Sequence, residues 1–528
     1  MNDELKYLSR RAAIGGISRR KFLGRASALG LTAAAAGTML SGAVHAAGPQ
    51  TGGTIKVGIE GASTTDSLDP ATTTNSAMTM VSRMWGEPLM ILAADGSLEP
   101  RVAESVEASA DAKTWTFKIR SGITFSNGKS VTADDVLATI ERHSGEETKS
   151  GALGLLRGIS GMRAEGDNFI LELEQANADL PYLLTDYHLL IQPNGGKDGV
   201  DAAIGTGPYI LKSADMGVRF VAEKNPNYWN SELGHADTIE IIVINDDTAR
   251  VAALQSGQVD MVSRVPPRTA GLVTRVPGIT VHSTAGPGHY VFIMHCNTAP
   301  FDNNDLRLAL KYAINRQEMV DKILFGYGSV GNDSPINASY PLFTEAEQRM
   351  YDPDKAAHHF KKSGHEGSVL LRTSDNSFPG APDASALFQQ SAKAAGIDLE
   401  IKREPNDGYW SEVWNKQPFC TSYWSGRPVQ DQMLSTAYLS SADWNDTRFF
   451  NEKFDQLLVT ARAELDEAKR TAMYADLSTI IRDEGGLICP MFNDFVSASS
   501  DRVAGWVDNH KGFGMMDMQA PLKMWVAG

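Results

Sequence analysis

One stretch of the chain, residues 289–326, most constrains the fold. It opens with a near-continuous apolar run over 290–294, which is the pattern of a β-strand buried on both faces. The run stops before Pro300, a residue type that disfavours continued regular structure. Apolar residues then recur at spacings of three and four, which predicts a helix with Asn303 or Asn304 as its N-cap. The stretch therefore predicts an α/β domain in which a buried strand is followed directly by a helix.

A second helix is predicted immediately after the first. Asn315 and Glu318, three residues apart, form a capping-box pattern, and Gly326 can end the helix. A strand followed by paired helices occurs in many α/β domains, so shape alone indicates no function.

The composition is that of a globular protein with more than one domain. A length of 528 residues is enough for two or three domains. The formal charge of −15 argues against a nucleic-acid partner. Cys296, Cys420 and Cys489 show no CxxC spacing, so a zinc or redox motif is not indicated. Two alternatives remain open for the cysteines, a disulfide between Cys420 and Cys489 or buried free thiols.

The first 47 residues have the pattern of an export signal. Residues 18–24, SRRKFLG, resemble the twin-arginine consensus. A weakly apolar segment follows over 26–40, and residues 44–46, VHA, offer small side chains to signal peptidase. We therefore exclude residues 1–47 from the fold. Because no cysteine stands at the cleavage site for a lipid anchor, we expect a free periplasmic protein exported by the twin-arginine pathway.

The sequence lacks the common catalytic motifs GxSxG and HExxH. Residues 128–130, GKS, do not form a phosphate loop, because that motif needs glycine where Ile123 stands. The 127–128 Asn-Gly pair instead predicts a hairpin turn. We therefore expect no catalytic residues. A periplasmic hydrolase is the alternative function from another class.

The histidines leave one further alternative open. His358, His359 and His365 lie in a polar stretch, which is typical of a solvated helix face rather than a metal site. His289 and His295 flank the predicted strand, and a nickel or metal-chelate ligand there is the second alternative. Our first expectation is a protein with no metal and no cofactor.

Motifs spread along residues 53–528 together resemble one known family. In chain order they are FSNGKSVTADDV (125–136), GTGPY (205–209), NPNYW (225–229), NTAPFD (297–302), LRLALKYAINR (306–316), NEKFDQLL (451–458) and ICPMF (488–492). No single motif is specific, but their order and spacing resemble the family 5 solute-binding proteins of ABC importers. That group binds dipeptides, oligopeptides, nickel and opines.

The resemblance implies a two-lobe α/β fold with the ligand cleft between the lobes. Residues 48–290 would form the first lobe, with a small subdomain at about 80–205. Residues 291–496 would form the second lobe, and residues 497–528 would return to the first. Closure of the lobes about a hinge is the expected motion. The implied partners are a small-molecule ligand and the transmembrane subunits of an ABC permease, and the implied state is a monomer.

The resemblance also implies where the ligand is bound. In dipeptide binders of this family, an aspartate in the loop after a Trp-x-Gly strand end holds the peptide's amino group. Here Trp424 and Gly426 occupy those places, and Arg427 replaces the acid. A guanidinium repels an ammonium group but can hold a carboxylate or phosphate through two hydrogen bonds. The family's basic partner for the peptide carboxylate falls near Phe378, which is also a mismatch.

We therefore hypothesise an anionic solute, such as an opine-like conjugate or a sugar phosphodiester. Trp424, Tyr409 or Tyr290 would supply a flat apolar wall for it. Two other interpretations remain open. Arg427 could form a salt bridge with Asp431, or the register could slip so that Asp431 faces the ligand and a peptide amine is restored.

Overall fold

The computed structural model describes residues 48–527 except 146, 198, 406–408 and 509, together with a few isolated positions before residue 48. The predicted twin-arginine signal over residues 1–47 thus lies outside the described residues, apart from those isolated positions. Within the described part of the chain, no helix is both long and apolar enough to cross a membrane.

The strands are β1 (Thr54–Ile59), β2 (Met90–Leu92), β3 (Leu98–Pro100), β4 (Ala103–Ala108), β5 (Thr114–Ile119), β6 (Ile159–Glu165), β7 (Asn168–Leu173), β8 (Tyr209–Asp215), β9 (Arg219–Lys224), β10 (Thr238–Val243), β11 (Met261–Val262), β12 (Ile279–Met294), β13 (Gly328–Val330), β14 (Val369–Thr373), β15 (Leu399–Arg403), β16 (Phe419–Trp424), β17 (Leu487–Ser500), β18 (Val503–Ala504) and β19 (Trp525–Val526).

The helices are α1 (Ser76–Trp85), α2 (Ala133–Ser144), α3 (Leu180–Leu183), α4 (Asp247–Gln255), α5 (Pro267–Val273), α6 (Asn304–Tyr312), α7 (Arg316–Ile323), α8 (Pro353–Ser363), α9 (Ala381–Lys393), α10 (Gln430–Ala437), α11 (Glu452–Ala463), α12 (Glu467–Glu484), α13 (Gly514–Asp517) and α14 (Ala520–Lys523).

One large mixed sheet runs through the molecule in the order β15-β14-β16-β12-β17-β11-β1-β10-β9-β8. β1 is parallel to both β10 and β11, and β14 is parallel to both β15 and β16. Each end of the sheet is thus an α/β arrangement of the kind that the strand and helix patterns predict. A separate antiparallel sheet, β4-β5-β7-β6, lies outside this path.

The two ends of the sheet are joined by the long antiparallel strands β12 and β17, which we call the crossover strands. They pair from Ile279 with Ser500 to Ile293 with Leu487. The register shifts between Ala285 and His289, which places the segment Gly286-Pro287-Gly288 in a β-bulge. A bulge bends its strand and increases the local twist, so the chain changes direction at this point.

Separate cores lie on the two sides of the crossover strands. One side packs residues such as Ile55, Phe220 and Ile239 around β1, β9 and β10. The other packs Leu306, Phe388 and others around β14 and β16. We call these sides the first and second lobes. The small antiparallel sheet has its own core, which includes Phe117 and Phe169, and belongs to the first lobe's side of the chain.

Helices α6 and α7 form as the sequence predicts. The Asn303 side chain accepts hydrogen bonds from the first turn of α6, and Asn315 accepts one from the Glu318 N–H of α7. The basic residues of α6 then bind the far end of α12. Lys311 Nζ donates to the Arg482 and Gly485 carbonyls at 2.8 Å.

The same α12 terminus receives a second cation. Arg307 Nη2 donates to the Glu484 carbonyl at 2.5 Å. Cations at a helix C-terminus satisfy the last carbonyl groups and oppose the helix dipole. The LRLALKYAINR motif therefore serves to fix α12 against α6.

The cysteine alternatives are resolved in favour of thiols. Cys296, Cys420 and Cys489 are all free, and the latter two are buried. The disulfide between Cys420 and Cys489 is therefore wrong.

Candidate functional site

The loop that follows β16 rests on the bulge of the crossover strand. Gly426, in this loop, has φ of +82°, in the left-handed region that favours glycine. A Cβ atom at this position would lie 2.4 Å from Pro287 Cβ. Only glycine therefore lets the loop reach the bulge, and the predicted site residue Gly426 lies at the junction of the two lobes.

Replacing Gly426 with alanine should destabilise the protein by about 2–4 kcal/mol. Roughly 1–2 kcal/mol comes from the left-handed backbone, and the rest comes from the clash with Pro287. Gly364→Ala is a matched control, because Gly364 has φ of +67° and nothing within 4 Å of an added Cβ. Urea denaturation of both variants checks the difference. Equal losses would show that the Pro287 contact adds nothing.

Arg427 follows this glycine and is partly buried. Its backbone N–H donates to the Tyr340 hydroxyl at 3.1 Å, and its Nη1 donates to the Gly426 carbonyl at 2.7 Å. The guanidinium carbon lies 5.7 Å from the ring centre of Trp424. Burial lowers the pKa of Arg427 from its ordinary value, although a guanidinium remains charged in proteins.

Arg427 has no carboxylate partner among the residues that the structure describes. A desolvated cation without a counter-charge is costly. The arrangement is therefore suited to an anion supplied from outside the chain.

Asp431 begins helix α10 and is paired with a different arginine. Arg462 Nε donates to both oxygens of Asp431 at 3.0 Å, and Arg462 Nη2 donates to Ser435 at 2.6 Å. Burial raises the pKa of Asp431 to about 6, against the opposing effect of Arg462. The interpretation in which Arg427 pairs with Asp431 is therefore wrong. Asp431 is also buried beside its partner rather than open to a ligand amine.

Tyr290 and Trp424 lie on opposite sides of the strand pair. Tyr290 stacks on Phe378, with ring centres 4.5 Å apart and planes 5° apart. Trp424 is buried, and its indole N–H donates to Asp446 at 3.2 Å. Phe378, which stands where the family has a basic residue, thus packs its ring against Tyr290, one of the residues predicted to line the ligand site.

Tyr409 does not present its ring to a ligand. It is 1% exposed, and its hydroxyl donates to the Thr421 carbonyl at 2.7 Å. Its neighbour Trp410 is 36% exposed and lies with its ring centre 5.5 Å from that of Tyr423. The expectation for Tyr409 is corrected, because the helical turn at 409–413 directs this ring inward and leaves Trp410 outside.

The first lobe contributes residues that the sequence reasoning missed. Glu60 follows β1, and Ser263 and Arg264 follow the parallel strand β11. The Ser263 hydroxyl donates to the Glu60 carboxylate, and Arg264 Nη1 lies 4.0 Å from that carboxylate. Carboxyl ends of parallel strands commonly form ligand sites. Polar residues directly after two predicted strands were the available signal.

Arg264 presents an exposed cation beside Glu60. Its side chain is 76% exposed, and its charge opposes the burial that raises the pKa of Tyr290. The charge of Arg264 is thus within electrostatic range of Tyr290 in the second lobe. The region between them is the candidate cleft.

A second contact between the lobes lies away from the crossover. Arg470 forms a buried ion pair with Asp179, and the Tyr474 hydroxyl donates to the same carboxylate at 3.3 Å. The Ala178 N–H donates to the Arg462 carbonyl at 2.8 Å. Since Asp179 lies in the small subdomain and Arg470 lies on α12, the two lobes are in direct contact here.

The histidines are placed as structural residues. His289 is fully buried, and its Nδ1 lies 2.9 Å from the Pro287 carbonyl oxygen. His359 pairs with Asp305 at 2.8 Å on helix α8. Within the described ranges, no three side chains of His, Cys, Asp or Glu come together as metal ligands. The metal-chelate alternative therefore has no metal-binding cluster to support it there.

The buried carboxyl group of Asp446 makes the stability of the protein depend on pH. It is buried, and its Oδ2 accepts the indole N–H groups of Trp414 and Trp424. Burial raises the pKa of Asp446 to about 7, and the two indole hydrogen bonds only partly oppose this. The pKa of Asp446 is higher in the folded protein than the ordinary 3.8, so the folded state favours the protonated carboxyl group. The contribution of this group to the free energy of unfolding is therefore fully present below about pH 4 and is lost as pH rises through 7.

The free energy of unfolding should therefore fall between about pH 4 and pH 8, and Asp446→Asn should flatten that slope. Asparagine keeps one oxygen for the two indoles and never ionises. Urea denaturation at several pH values checks this, with the exposed Asp443→Asn as control. A slope unchanged by Asp446→Asn would contradict it.

The crossover strands, paired lobes and cleft are those of a two-lobe periplasmic binding protein. Residues 97–446 match the family described as bacterial extracellular solute-binding proteins, family 5 Middle. The chain belongs to this family, and the resemblance in its motifs is confirmed.

Two of the proteins to which this chain is similar are named with different ligands. The glutathione-binding protein GsiB of Salmonella typhi is 25% identical over 470 residues, covering 85% of this chain and 91% of that protein. The binding protein AgaA in complex with agropinic acid, from A. tumefacien R10, has a TM-score of 0.71 at 22% identity, covering 90% of this chain and 99% of that one. The substrate-binding protein CtaP of Listeria monocytogenes has a TM-score of 0.77 at 20% identity, covering 91% and 100%.

Proposed function

We propose that this protein is the substrate-binding component of an ABC importer that captures an anionic, peptide-like or opine-like solute. It delivers the solute to the transmembrane subunits of a permease and catalyses no reaction itself. The observation that carries the proposal is Arg427, a shielded guanidinium beside the crossover without a carboxylate partner among the described residues. A bound carboxylate or phosphate would supply the missing charge.

The names of the relatives support the same ligand class. Glutathione is a peptide with free carboxylates, and agropinic acid is an acidic opine; these are the ligands named for two of the proteins to which this chain is similar. Trp424, on the other side of the strand pair, would support Arg427 from beneath, and Tyr290 of the second lobe would form the apolar wall of the proposed site. Glu60 and Arg264 face it from the first lobe and would close over the bound solute.

Thermal shift against glutathione, tripeptides, opines, sugar phosphodiesters and a nickel–histidine complex tests the proposal. A ligand that binds only the folded, closed protein stabilises it by RT ln(1 + [L]/Kd), about 2.7 kcal/mol at a hundredfold excess over Kd. We expect an acidic member to give the largest shift, with 1:1 stoichiometry and recovery of the unaltered compound. Stabilisation by the nickel complex alone, or turnover of the compound, would overturn the proposal.

We also propose that the protein acts as a monomer in the periplasm after twin-arginine export. Replacing Arg19 and Arg20 together with lysine should leave unprocessed precursor in the cytoplasm, because the pathway reads both guanidinium groups. Immunoblotting of cell fractions checks this. Normal processing of the double variant would indicate a different export route.

A further inference from the structure

A continuous series of aromatic rings surrounds the end of β16. We call Trp410, Trp414, Tyr423, Trp424 and Trp444 the aromatic ladder. Ring centres are 5.5 Å apart from Tyr423 to Trp410, 5.9 Å from Trp410 to Trp414, 6.2 Å from Trp414 to Trp444 and 6.0 Å from Trp444 to Trp424. Most of these pairs meet edge to face, which is a favoured geometry for aromatic contacts.

Three rings of the ladder are open to solvent. Trp410 is 36% exposed, Tyr423 46% and Trp444 50%. Large aromatic side chains are usually well buried, so several exposed rings in contact with one another point to a binding surface. Trp424 belongs to a core cluster of the second lobe and Trp414 packs against it, whereas the three exposed rings lie at the surface.

The ladder is held rigidly from beneath. Asp446 accepts hydrogen bonds from Trp414 Nε1 at 3.0 Å and from Trp424 Nε1 at 3.2 Å. Fixed aromatic side chains lose little conformational freedom on binding. The exposed rings of Trp410 and Trp444, which contact these two, are therefore presented as a preformed surface.

Both ends of the ladder return to the crossover. Tyr423 pairs directly with Tyr290 of β12, and Trp424 lies beneath the guanidinium of Arg427. Trp424 alone separates Arg427 from Trp444 in this series of contacts. A ligand held at Arg427 would have the ladder beside it.

We propose that the aromatic ladder is a ring-binding subsite, in which Trp410 and Trp444 pack against the flat apolar face of a ring in the ligand. The ligand class is thus an anionic conjugate that carries an aromatic or a sugar ring, both of which offer an apolar face to tryptophan. This inference rests on the proposed function, because Arg427 would hold the anionic group of the same molecule. Trp410 and Trp444 would then determine specificity.

Three opine-type probes with related acidic groups test the subsite. They are N-(1-carboxyethyl)phenylalanine, fructosyl-glycine and the ring-free N-(1-carboxyethyl)alanine, titrated calorimetrically into the mature protein. We expect a ring-bearing probe to bind roughly ten- to a hundredfold more tightly than the ring-free probe. The phenylalanine and fructosyl arms distinguish an aromatic ring from a sugar.

Variants then assign the preference to named rings. Trp410→Ala and Trp444→Ala should each remove most of the preference, whereas Trp444→Phe should retain much of it and so exclude misfolding. Phe450→Ala, at a 55% exposed position outside the ladder, should leave the preference intact.

Two outcomes would overturn the inference in different ways. Equal binding of ring-bearing and ring-free probes, with binding still dependent on Arg427, would overturn the subsite and leave the proposed function standing. Absence of binding by every probe, or binding unaffected by Arg427→Ala, would overturn the subsite and count against the proposed function as well.

Discussion

Replacing Arg427 with alanine should weaken binding of the native ligand by about 2–5 kcal/mol, which is roughly 30- to 5,000-fold in Kd. The size follows from the shielding of the guanidinium, since a charge pair removed from water is far stronger than one on the surface. Arg427→Lys should fall between the wild type and alanine, because lysine keeps the charge but lacks the planar fork. Calorimetric titration at fixed ionic strength measures all three proteins.

The controls separate ligand contact from structure. Arg268→Ala, at an exposed position on α5, should bind normally. Asp431→Ala should cost less affinity than Arg427→Ala, since Asp431 is already paired with Arg462. Normal binding by Arg427→Ala with loss in Asp431→Ala would contradict the anion proposal and favour a ligand with a free amine.

The largest effect on stability should come from Asp333, which lies at the centre of a buried ion cluster. Both of its oxygens lie 2.7 Å from Arg316 Nη2, and Oδ2 also accepts from Arg349 Nη1 at 2.6 Å. The Cys489 N–H donates to Oδ1 at 3.1 Å, which ties the cluster to β17. Burial opposes ionisation of Asp333, but the two arginines outweigh it and hold the pKa below its ordinary value.

Asp333→Ala should destabilise the protein by about 3–5 kcal/mol, because it leaves two guanidinium groups buried without their shared carboxylate. The exposed Asp321→Asn on α7 is the control and should stay within about 0.5 kcal/mol. Guanidinium chloride denaturation compares them. A loss under about 1 kcal/mol for Asp333→Ala would show that water or rearrangement replaces the lost carboxylate.

Local sequence rules located the two helices after the crossover strand. The N-caps Asn303 and Asn315 both formed where pattern and spacing placed them. These features depend on neighbours a few residues away, so the sequence contains the whole cause.

The crossover strand was only partly predictable. The apolar run marked residues 290–294, but β12 begins at Ile279. Gly286-Pro287-Gly288 has the composition of a turn, and its role as a bulge depends on pairing with β17, some two hundred residues later. That pairing joins strands that are distant in the sequence, so a local pattern cannot predict it.

Some residues of the candidate site could be predicted from the sequence, and others could not. Arg427 could be identified from the sequence because the family resemblance fixed its place after Trp424. Its role in ligand binding stays a prediction. The pairing of Asp431 with Arg462 and the approach of Arg264 to Tyr290 depend on how separate elements pack. Tyr409 was predicted to face the ligand, but it is buried and its neighbour Trp410 is exposed instead. The orientation of the short helical segment at 409–413 decides which of the two rings points inward.

We propose that Arg427 holds an anionic group of the ligand between the lobes. A crystal structure of the protein with the compound that co-purifies from the periplasm tests it most directly. We expect a carboxylate or phosphate about 2.7–2.9 Å from the Arg427 guanidinium nitrogens, with Glu60 and Arg264 of the first lobe closed over the ligand. A ligand whose ammonium group binds an acidic side chain, with Arg427 turned away from it, would show that Arg427 is not the anion-binding group.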